Sequence, residues 1–494
     1  MVLRRALAFG IGITLVGAAP ALAQTATGGT APSRTQSSRA AAQPGVPHTL
    51  AEALAATYSN EPTLQAERAN VRATDEGVPT ALSGWRPTVV LGGTAGYGDG
   101  IDRIYSALNA QFTGDAWSKL STERQTASGQ ATLTQPLYTG GQVQAGVNQA
   151  KDLVFAERAK LLAQEESSFI NSVSAYIGVI ENRDLLALYV NNEQVLEKQL
   201  EATNDRFRVG EITRTDVAQA EASLAGAKAQ REAQEGTLAT AGATYVQYIG
   251  YEPPSNLVEP QPLALPLRTE QDAAGVAAAN NPNVIAAEFD DSAAKDAVDL
   301  QFGKLLPQLS LQAQAFNQQN SGTARNATNG WQAVLQLSVP LYQGGAEYSA
   351  VRKAKQAEQD QARVVAEQKR AAVQEAVNYW GTLVAATASV ASTRSQIRAN
   401  EIALEGVERE AIVGSRTTLD VLNAQQTLLT SRVSLVQDLA QLVTASYEVA
   451  AAIGRLTARD LHLPVPLYDD TAYYNAVKNK WAGLGDYATS QPGR

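Results

Sequence analysis

The sequence contains one short motif twice, as LTQPLYTGGQ at residues 133–142 and as LSVPLYQGGA at residues 337–346. The two copies lie 204 residues apart and share a proline, a Leu-Tyr pair and two consecutive glycines. A segment of alternating polar and apolar residues precedes each copy, and a long helical pattern follows it. The motif therefore predicts a corner at which the chain passes from a strand into a helix.

Eight residues form the two predicted corners: Pro136, Tyr138, Gly140, Gly141, Pro340, Tyr342, Gly344 and Gly345. Each proline is expected at the end of a strand, where a missing N–H costs least. The glycines allow a sharp change of direction because they adopt backbone conformations that other residues avoid. The tyrosines lie between an apolar strand and a polar helix, which suits a membrane–water boundary. A core tyrosine at a strand–helix bend is the alternative.

The repeat extends beyond the corners. Val209-Gly210 returns as Val413-Gly414 at the same shift of 204, whereas NEPTLQA at 60–66 returns as NNPNVIA at 280–286 with a shift of 220. The first half therefore has 16 extra residues before its corner. A surface loop is the expected place for them, because loops tolerate insertions. Each half follows one plan of helix, strand pair, corner and long helical region.

Domain boundaries follow from this repeat and from the local composition. We expect a signal peptide at 1–23, a disordered lead-in at 24–48, a first structural repeat at 49–250, a proline-rich linker at 251–270, a second structural repeat at 271–460 and a C-terminal tail with a short helix at 461–494. The signal peptide has a positive start, an apolar stretch and a small-residue cleavage site. These features predict export from the cytoplasm.

Composition argues against several classes of function. The chain contains no cysteine, only two histidines, His48 and His462, and a net charge of -9. Thiolate chemistry is therefore excluded, and nucleic acid is not an expected partner because phosphate binding needs concentrated Lys and Arg. No nucleophile elbow, phosphate-binding loop or zinc-protease motif occurs. The sequence predicts a protein that is not an enzyme and has no cofactor or metal.

The strands alternate in a way that suits a membrane. In the second half, Gln308–Ala315 and Gln332–Val339 place apolar residues on one face and polar residues on the other, and the first half shows a weaker version. Two half-buried surface hairpins are one interpretation. However, no apolar partner sheet is evident, and about ten tilted residues cross a bilayer. Four strands cannot close a barrel, so chains must associate; two would supply eight strands and three would supply twelve.

The helical regions are unusually long. Residues 345–413 contain no proline, and Leu383, Val390 and Ile397 recur every seven residues. A seven-residue repeat is typical of a coiled-coil seam. About 65 helical residues form a rod of roughly 100 Å, longer than a globular domain is wide. The sequence thus predicts a mainly α-helical, internally duplicated protein with a membrane β part of four strands per chain.

The paired halves, the PLYxGG corners and the segment VGSRTTLDVLNAQQTLL at 413–429 resemble the TolC-like outer-membrane channel family. The resemblance implies a homotrimer in the cell outer membrane, in contact with its lipid. Its twelve strands would form one β-barrel, continuous with a coiled-coil α-barrel in the periplasm. The resemblance also implies a passive exit duct for type I protein secretion or drug efflux. A periplasmic adaptor and an inner-membrane ABC or proton-driven pump would be its partners.

The resemblance also assigns a gate at the periplasmic tip. By motif, its links match Thr215, Asp216 and Arg416, and Arg416 is expected to reach Thr215 or Asp216. Asp420 is expected to form an acidic ring that attracts cations. A second interpretation needs no channel, because the TxxD sequences that contain Asp216 and Asp420 both fit a helix-capping box.

The sequence departs from the family pattern at two positions, and it also allows one alternative function. Ala411 stands where a gate tyrosine is often found and Asn423 where a second ring acid can occur, so the resemblance implies a looser gate. The alternative function is a periplasmic coiled-coil scaffold or adaptor without a membrane barrel. In the tail, Tyr473, Tyr474 and Trp481 share one face of the predicted short helix, which is expected to pack outside the rod midway or to dock a partner.

Overall fold

The computed structural model describes residues 45–121, 124–320 and 326–485. The predicted signal peptide, most of the predicted lead-in and the end of the predicted tail lie outside the described residues. The helices are α1 Leu50–Asn60, α2 Pro62–Asp75, α3 Gly77–Leu82, α4 Ala107–Thr113, α5 Gln142–Arg208, α6 Arg214–Ile249, α7 Glu270–Asn280, α8 Pro282–Gly303, α9 Ala346–Ile412, α10 Thr418–Ala452 and α11 Ala472–Val477. The strands are β1 Thr88–Gly98, β2 Ile101–Tyr105, β3 Trp117–Ser121, β4 Arg124–Tyr138, β5 Gln308–Gln319 and β6 Ala327–Ser338.

The longest elements are α5 and α9, each of 67 residues. At 1.5 Å per residue each is about 100 Å long, as the sequence predicts. α6 folds back along α5, and α10 folds back along α9, so the rods are two helical hairpins. Among the described residues, no helix combines the length and the apolar character needed to cross a bilayer.

Four antiparallel strands form the main sheet in the order β1-β4-β5-β6. β1 pairs with β4 and β5 pairs with β6, so each half of the repeat supplies one strand pair. β4 joins β5 across the boundary between the halves. β1 and β6 are therefore the edges of the sheet, and each has one side without a strand partner in the described part of the chain.

The insertion in the first half is more ordered than the predicted surface loop. It contains β2, α4 and β3, and β2 pairs with β3. β2 and β3 form a separate two-stranded sheet that keeps the register of β1 and β4, since Gly98 faces Arg124 and Ile101 faces Ser121. The loop prediction was therefore incomplete. A five-residue strand is too short to be separated from a loop by its periodicity alone.

The main sheet has an apolar face and a face rich in glutamine. The register places one apolar residue of each strand in a single row: Val89, Leu133, Ala313 and Ala333. On the opposite face, Gln314 Nε2 donates to Gln130 Oε1 and Gln332 Nε2 donates to Gln314 Oε1, both at 2.9 Å. Side-chain amides thus bond to one another across three strands, and this side of the sheet is called the glutamine face below.

The main hydrophobic core lies where α1, α6 and α10 pack against the middle of α5. Phe169, Tyr176 and Tyr245 are among its fully buried side chains. The Tyr176 hydroxyl lies 2.8 Å from the carbonyl oxygens of both His48 and Val258. A single buried hydroxyl therefore connects the start of α1 to the linker between the two halves, and its own polar group is satisfied.

Two buried acids on α5 hold the chain where it leaves α10. Glu165 accepts the N–H of Ala458 at 2.6 Å, and Glu166 accepts the N–H of Leu456 at 3.3 Å. Burial raises the pKa of both carboxyls, that of Glu166 to about 8. Because burial disfavours the charged form, Glu166 is protonated in the folded chain at neutral pH.

The tail leaves this core and runs past α2 toward the sheet. Near the core, the Tyr468 N–H donates to the Tyr58 hydroxyl at 2.9 Å. After α11, Arg86 Nη1 donates to the carbonyl oxygen of Lys480 at 2.7 Å, two residues before β1 begins. The expectation that this segment packs midway along the rod was therefore incomplete, because the tail continues to the base of the sheet.

Candidate gate and strand-helix corners

The hairpin of α5 and α6 turns at residues 205–216, named here the first tip. α5 ends at Arg208, and Gly210 takes a left-handed φ of +75°, which glycine adopts without strain. The Glu211 N–H donates to the carbonyl oxygen of Arg206, which satisfies one of the last carbonyl groups of the helix. The side chains of Arg206 and Glu211 also form an ion pair at 2.8 Å.

The hairpin of α9 and α10 turns at residues 409–420, named here the second tip. Its backbone repeats the first, with Gly414 at φ +82° and the Ser415 N–H donating to the carbonyl oxygen of Glu410. Its ion pair is reversed, since Arg416 Nε donates to the Glu410 carboxylate at 2.8 Å. In the first tip the arginine, Arg206, lies at the end of the long helix, whereas in the second tip the glutamate, Glu410, lies there.

Both tips start their second helix with a capping box. The Thr213 N–H donates to the Asp216 carboxylate, and the Thr417 N–H donates to the Asp420 carboxylate, each at 2.9 Å. Each aspartate N–H donates in return to the threonine Oγ1. The capping interpretation is therefore confirmed. Hydrogen bonds from the threonines hold the pKa of both carboxyls below the ordinary range, so both are charged at neutral pH.

The predicted gate residues are divided between the two tips, with Thr215 and Asp216 in the first and Arg416 in the second. Within one chain, Arg416 donates to Glu410 rather than to its expected partners. The hydrogen bond and charge of Glu410 raise the pKa of Arg416. Sequence reasoning missed Glu410, although opposite charges on either side of a Val-Gly break were a usable signal. The link from Arg416 to Thr215 or Asp216 stays a prediction.

A small apolar cluster joins the two hairpins near their tips: Leu196, Leu224, Ala227 and Leu422. Asn423 comes directly after Leu422 in the sequence and lines the cleft between the hairpins together with Gln219. Ala411 is buried in the last turn of α9. Asn423 thus lies beside the contact between the two hairpins, and the effect of both family departures on the gate stays a prediction.

The corner glycines all have left-handed φ values, +63° and +81° at Gly140 and Gly141, and +65° and +87° at Gly344 and Gly345. The second glycine of each pair is the N-cap of the long helix that follows. Their surroundings differ. A Cβ at Gly140 would lie 2.5 Å from the carbonyl oxygen of Gly303, whereas a Cβ at Gly344 would meet open space.

The prolines and tyrosines of the two corners also differ. β4 continues two residues past Pro136 to Tyr138, and a β-bulge lies between these residues. The expectation that Pro136 ends its strand was therefore wrong, and the missing N–H is tolerated at the bulge. β6 ends at Ser338, before Pro340. Tyr138 is 47% exposed and Tyr342 is 77% exposed, so neither is a core tyrosine.

Comparison with known proteins gives three consistent results. The model of the family described as "Outer membrane efflux protein" matches residues 53–251 and 274–455. Outer membrane efflux protein BepC of Brucella suis is 36% identical over 444 residues, which cover 90% of this chain and 93% of BepC. Outer membrane protein TolC of Vibrio cholerae is 25% identical over 421 residues, or 83% of this chain and 92% of TolC. The solved structure of VceC from Vibrio cholerae has a TM-score of 0.70 at 18% identity, over 82% of this chain and 96% of that chain.

Together, the fold, the corners and these relatives define an outer-membrane export channel. The chain belongs to the outer membrane efflux protein family. The predicted family and the predicted outer-membrane location are confirmed, which argues against the alternative of a periplasmic scaffold without a membrane part. Its relatives are channel proteins rather than enzymes, in keeping with the predicted class.

Proposed function

We propose that three copies of this chain form a passive exit duct for drug efflux in a tripartite export system. Their twelve strands would close into one barrel in the outer membrane, and their helical hairpins would form a tunnel in the periplasm. The observation that carries the proposal is the pair of unpaired sheet edges, β1 and β6. A sheet in lipid must have no open edge, because unpaired backbone groups there are costly.

The internal repeat indicates how these edges meet. Within one chain, β4 of the first half pairs with β5 of the second. Under the repeat, β4 corresponds to β6 and β5 corresponds to β1, so the equivalent pairing joins β6 of one chain to β1 of the next. Ala131 faces Ala315 in the existing junction. The shifts of 204 and 220 then place Leu335 opposite Ala95 in the new one.

The corners support the same assembly. The first corner packs against the end of α8 from the other half, at Gly303. The second corner has no such neighbour around Gly344. By the repeat, the missing neighbour is the end of α3 in an adjacent chain. Three chains give twelve strands and a closed barrel, whereas one chain gives four, too few to close.

Disulfide cross-linking tests this register directly, because the native chain contains no cysteine. Leu335→Cys with Ala95→Cys is expected to give covalent dimers and trimers on oxidation. Gln336→Cys with Thr94→Cys tests the adjacent pair, since neighbouring pairs alternate between two spacings. The control, Leu335→Cys with Leu91→Cys, keeps the same face but lies four residues out of register, about 13 Å away. Cross-linking of the control alone, or of none of these pairs, would contradict the proposed barrel.

The energy for export would come from partner proteins. The chain has no phosphate-binding loop and no catalytic motif in its sequence. Rods of about 100 Å carry the duct far from the membrane, where a periplasmic adaptor and an inner-membrane ABC or proton-driven pump would engage it. The efflux assignment rests on BepC, which is named as an efflux protein. Deletion of the chain is expected to sensitise cells to drugs, and unchanged sensitivity would contradict the assignment.

The second tip would form the gate. In the assembled trimer, we propose that Arg416 reaches Thr215 or Asp216 and that Asp420 from three chains forms an acidic ring. The lowered pKa of Asp420 supports the ring, since its carboxylate is charged at neutral pH. Arg416→Ser is expected to raise single-channel conductance in planar bilayers, whereas Arg206→Ser, which breaks the ion pair of the first tip, is the control. Equal conductance of wild type and Arg416→Ser would contradict the link.

The ring has a separate test. Asp420→Ala is expected to reduce the preference for cations over anions, because it removes three charges near the axis. This substitution also removes a capping group, so Thr417→Ala serves as the control that breaks the cap but keeps the carboxylate. Reduced selectivity in both variants would assign the effect to the cap. Unchanged selectivity in Asp420→Ala would remove the ring.

A further inference from the structure

The last described part of the tail, residues 478–485, lies against the chain that enters the sheet. Arg86 Nη1 donates to the carbonyl oxygen of Lys480 at 2.7 Å, and the Arg86 guanidinium lies 5.0 Å from the centre of the Trp481 ring. Arg86 stands two residues before the first residue of β1. These two contacts fix Trp481 at the level where the main sheet begins.

Large apolar side chains of this region face outward. Trp481 is 71% exposed and Leu484 is fully exposed, and Trp85, the neighbour of Arg86, is 38% exposed. Leaving such side chains in water costs free energy in proportion to their apolar area. Tryptophan is favoured where one end of the side chain is apolar and the other meets water, as at a bilayer surface. The apolar face of the sheet starts three residues after Arg86, at Val89.

The same region is positively charged. Residues 478–485 include Lys478 and Lys480, and residues 77–87 include Arg86; the acids Asp486 and Glu76 flank these ranges, and Glu76 accepts a hydrogen bond from the Tyr473 hydroxyl, so the balance of charge stays positive. Lys478 Nζ donates to Asn475 Oδ1, and Lys480 Nζ donates to the carbonyl oxygen of Gly485. A lysine ammonium has three donors, so each keeps capacity for another acceptor. An anionic headgroup would complement these cations.

We propose that Arg86, Lys478, Lys480, Trp481 and Leu484 form a lipid anchor that binds an anionic phospholipid in the leaflet facing the periplasm. This inference rests on the proposed function, in which the main sheet spans the outer membrane. The ring of Trp481 and the side chain of Leu484 enter the headgroup boundary, and the three cations contact the phosphate. The tail thereby connects the main hydrophobic core to the membrane surface.

Tryptophan quenching by brominated lipid tests the anchor. The purified full-length protein is placed in nanodiscs of equal parts phosphatidylcholine and phosphatidylglycerol, with either lipid brominated. The contribution of Trp481 is the difference between wild type and Trp481→Phe. Brominated phosphatidylglycerol is expected to quench Trp481 about twofold more than brominated phosphatidylcholine, because the three cations attract the anionic lipid to the ring.

Substitutions test whether the cations of the anchor, rather than the net charge of the protein, cause the preference for the anionic lipid. Replacing Arg86, Lys478 and Lys480 together by Gln is expected to abolish the preference for the anionic lipid. The control replaces three exposed cations of the rods by Gln: Lys198, Lys228 and Arg398. Equal quenching of the wild type by both lipids, or no quenching of Trp481 by either, would overturn the proposal. Planar-bilayer conductance of the same proteins distinguishes failure of the anchor from failure of the channel. A protein that conducts but shows no quenching of Trp481 would contradict the anchor alone. A protein that does not conduct would contradict the proposed function.

Discussion

The two halves of this chain share a backbone plan but differ in the residues that pack around it. In the first corner, Gly140 packs against the carbonyl oxygen of Gly303 at the end of α8, while the equivalent Gly344 faces open space. The helices show the same contrast. The first buried residue of α5 is Ala145, in its first turn, whereas that of α9 is Ala372, about 26 residues into the helix. The half with missing neighbours marks where another chain is expected.

The halves also differ in the middle of their long helices. Glu165 and Glu166 of α5 hold the chain after α10 by accepting its N–H groups. Their equivalents under the repeat are Lys369 and Arg370, and Lys369 instead pairs with Glu288 of α8 at 2.6 Å. The tail therefore has a docking place on one half only. The duplication gives both halves the same helices, and different residues at equivalent positions of these helices decide which segment each half contacts.

The largest effect is expected at the corners. Gly140→Ala should lower the free energy of unfolding by about 4 kcal/mol, because it combines a left-handed φ with a Cβ too close to a backbone oxygen. Gly344→Ala should cost about 1–2 kcal/mol from its φ alone within one chain. Thermal unfolding and the yield of detergent-resistant trimer measure both.

The two glycine variants sharpen the comparison through different readouts. Gly140→Ala should reduce the yield of folded chain. Gly344→Ala should leave the chain folded but reduce the trimer fraction, since the added methyl group would meet the adjacent chain. A Gly344→Ala protein with a normal trimer fraction would show that the second corner is not at a subunit contact.

A smaller effect is expected at the buried acid Glu166 of α5. Burial raises the folded-state pKa of Glu166 from 4.5 to about 8, so the folded chain binds more protons than the unfolded chain between these values. The stability that the protonated group contributes is complete below pH 4.5 and is lost as the pH rises toward 8. Glu166→Gln keeps an acceptor for the Leu456 N–H and removes this titration.

The Glu166→Gln variant should therefore be nearly equal to wild type in stability at pH 5 and more stable by about 3–4 kcal/mol above pH 8, because each pH unit between these values costs the wild type about 1.4 kcal/mol. Thermal unfolding at both pH values measures the difference. Arg370→Gln, at the equivalent position of the second half, is the control and should show no such change with pH. A wild-type and Glu166→Gln pair with parallel pH profiles would contradict the buried, protonated carboxyl.

The smallest effect is expected at the tips, where the halves agree. Thr213→Ala and Thr417→Ala each remove one capping box and should each cost about 1 kcal/mol. Because the boxes have the same hydrogen bonds, the two losses should be equal. Hydrogen exchange of the first turns of α6 and α10 measures them separately. A clearly larger loss at Thr417 would show that the second tip has contacts beyond one chain.

Local features of this fold could be predicted from the sequence. Glycine pairs predicted the corners because left-handed φ values are nearly exclusive to glycine, and Gly140 and Gly345 adopt them. The TxxD sequences predicted the capping boxes because each box is complete within four residues. The alternation of Gln332–Val339 predicted a strand with two distinct faces, and β6 covers most of that range.

Features that depend on distant contacts could not be predicted in this way. The pairing of Arg416 with Glu410 forms only when Gly414 reverses the chain between them. The path of the tail depends on contacts such as that of Tyr468 with Tyr58, which lies 410 positions earlier. Periodicity describes the faces of one element, and it does not state which distant element a polar group will meet.

The main sheet has one further property with a consequence for transport. Its four strands contain a single charged residue, Arg124 at one end of β4, and glutamine amides bonded to one another cover one face. In the proposed barrel, cations, anions and neutral molecules would all slide past the same neutral lining. In that barrel, selection by charge would take place at the two tips of the helical hairpins. A change of cargo would then require substitutions at the tips and none in the main sheet.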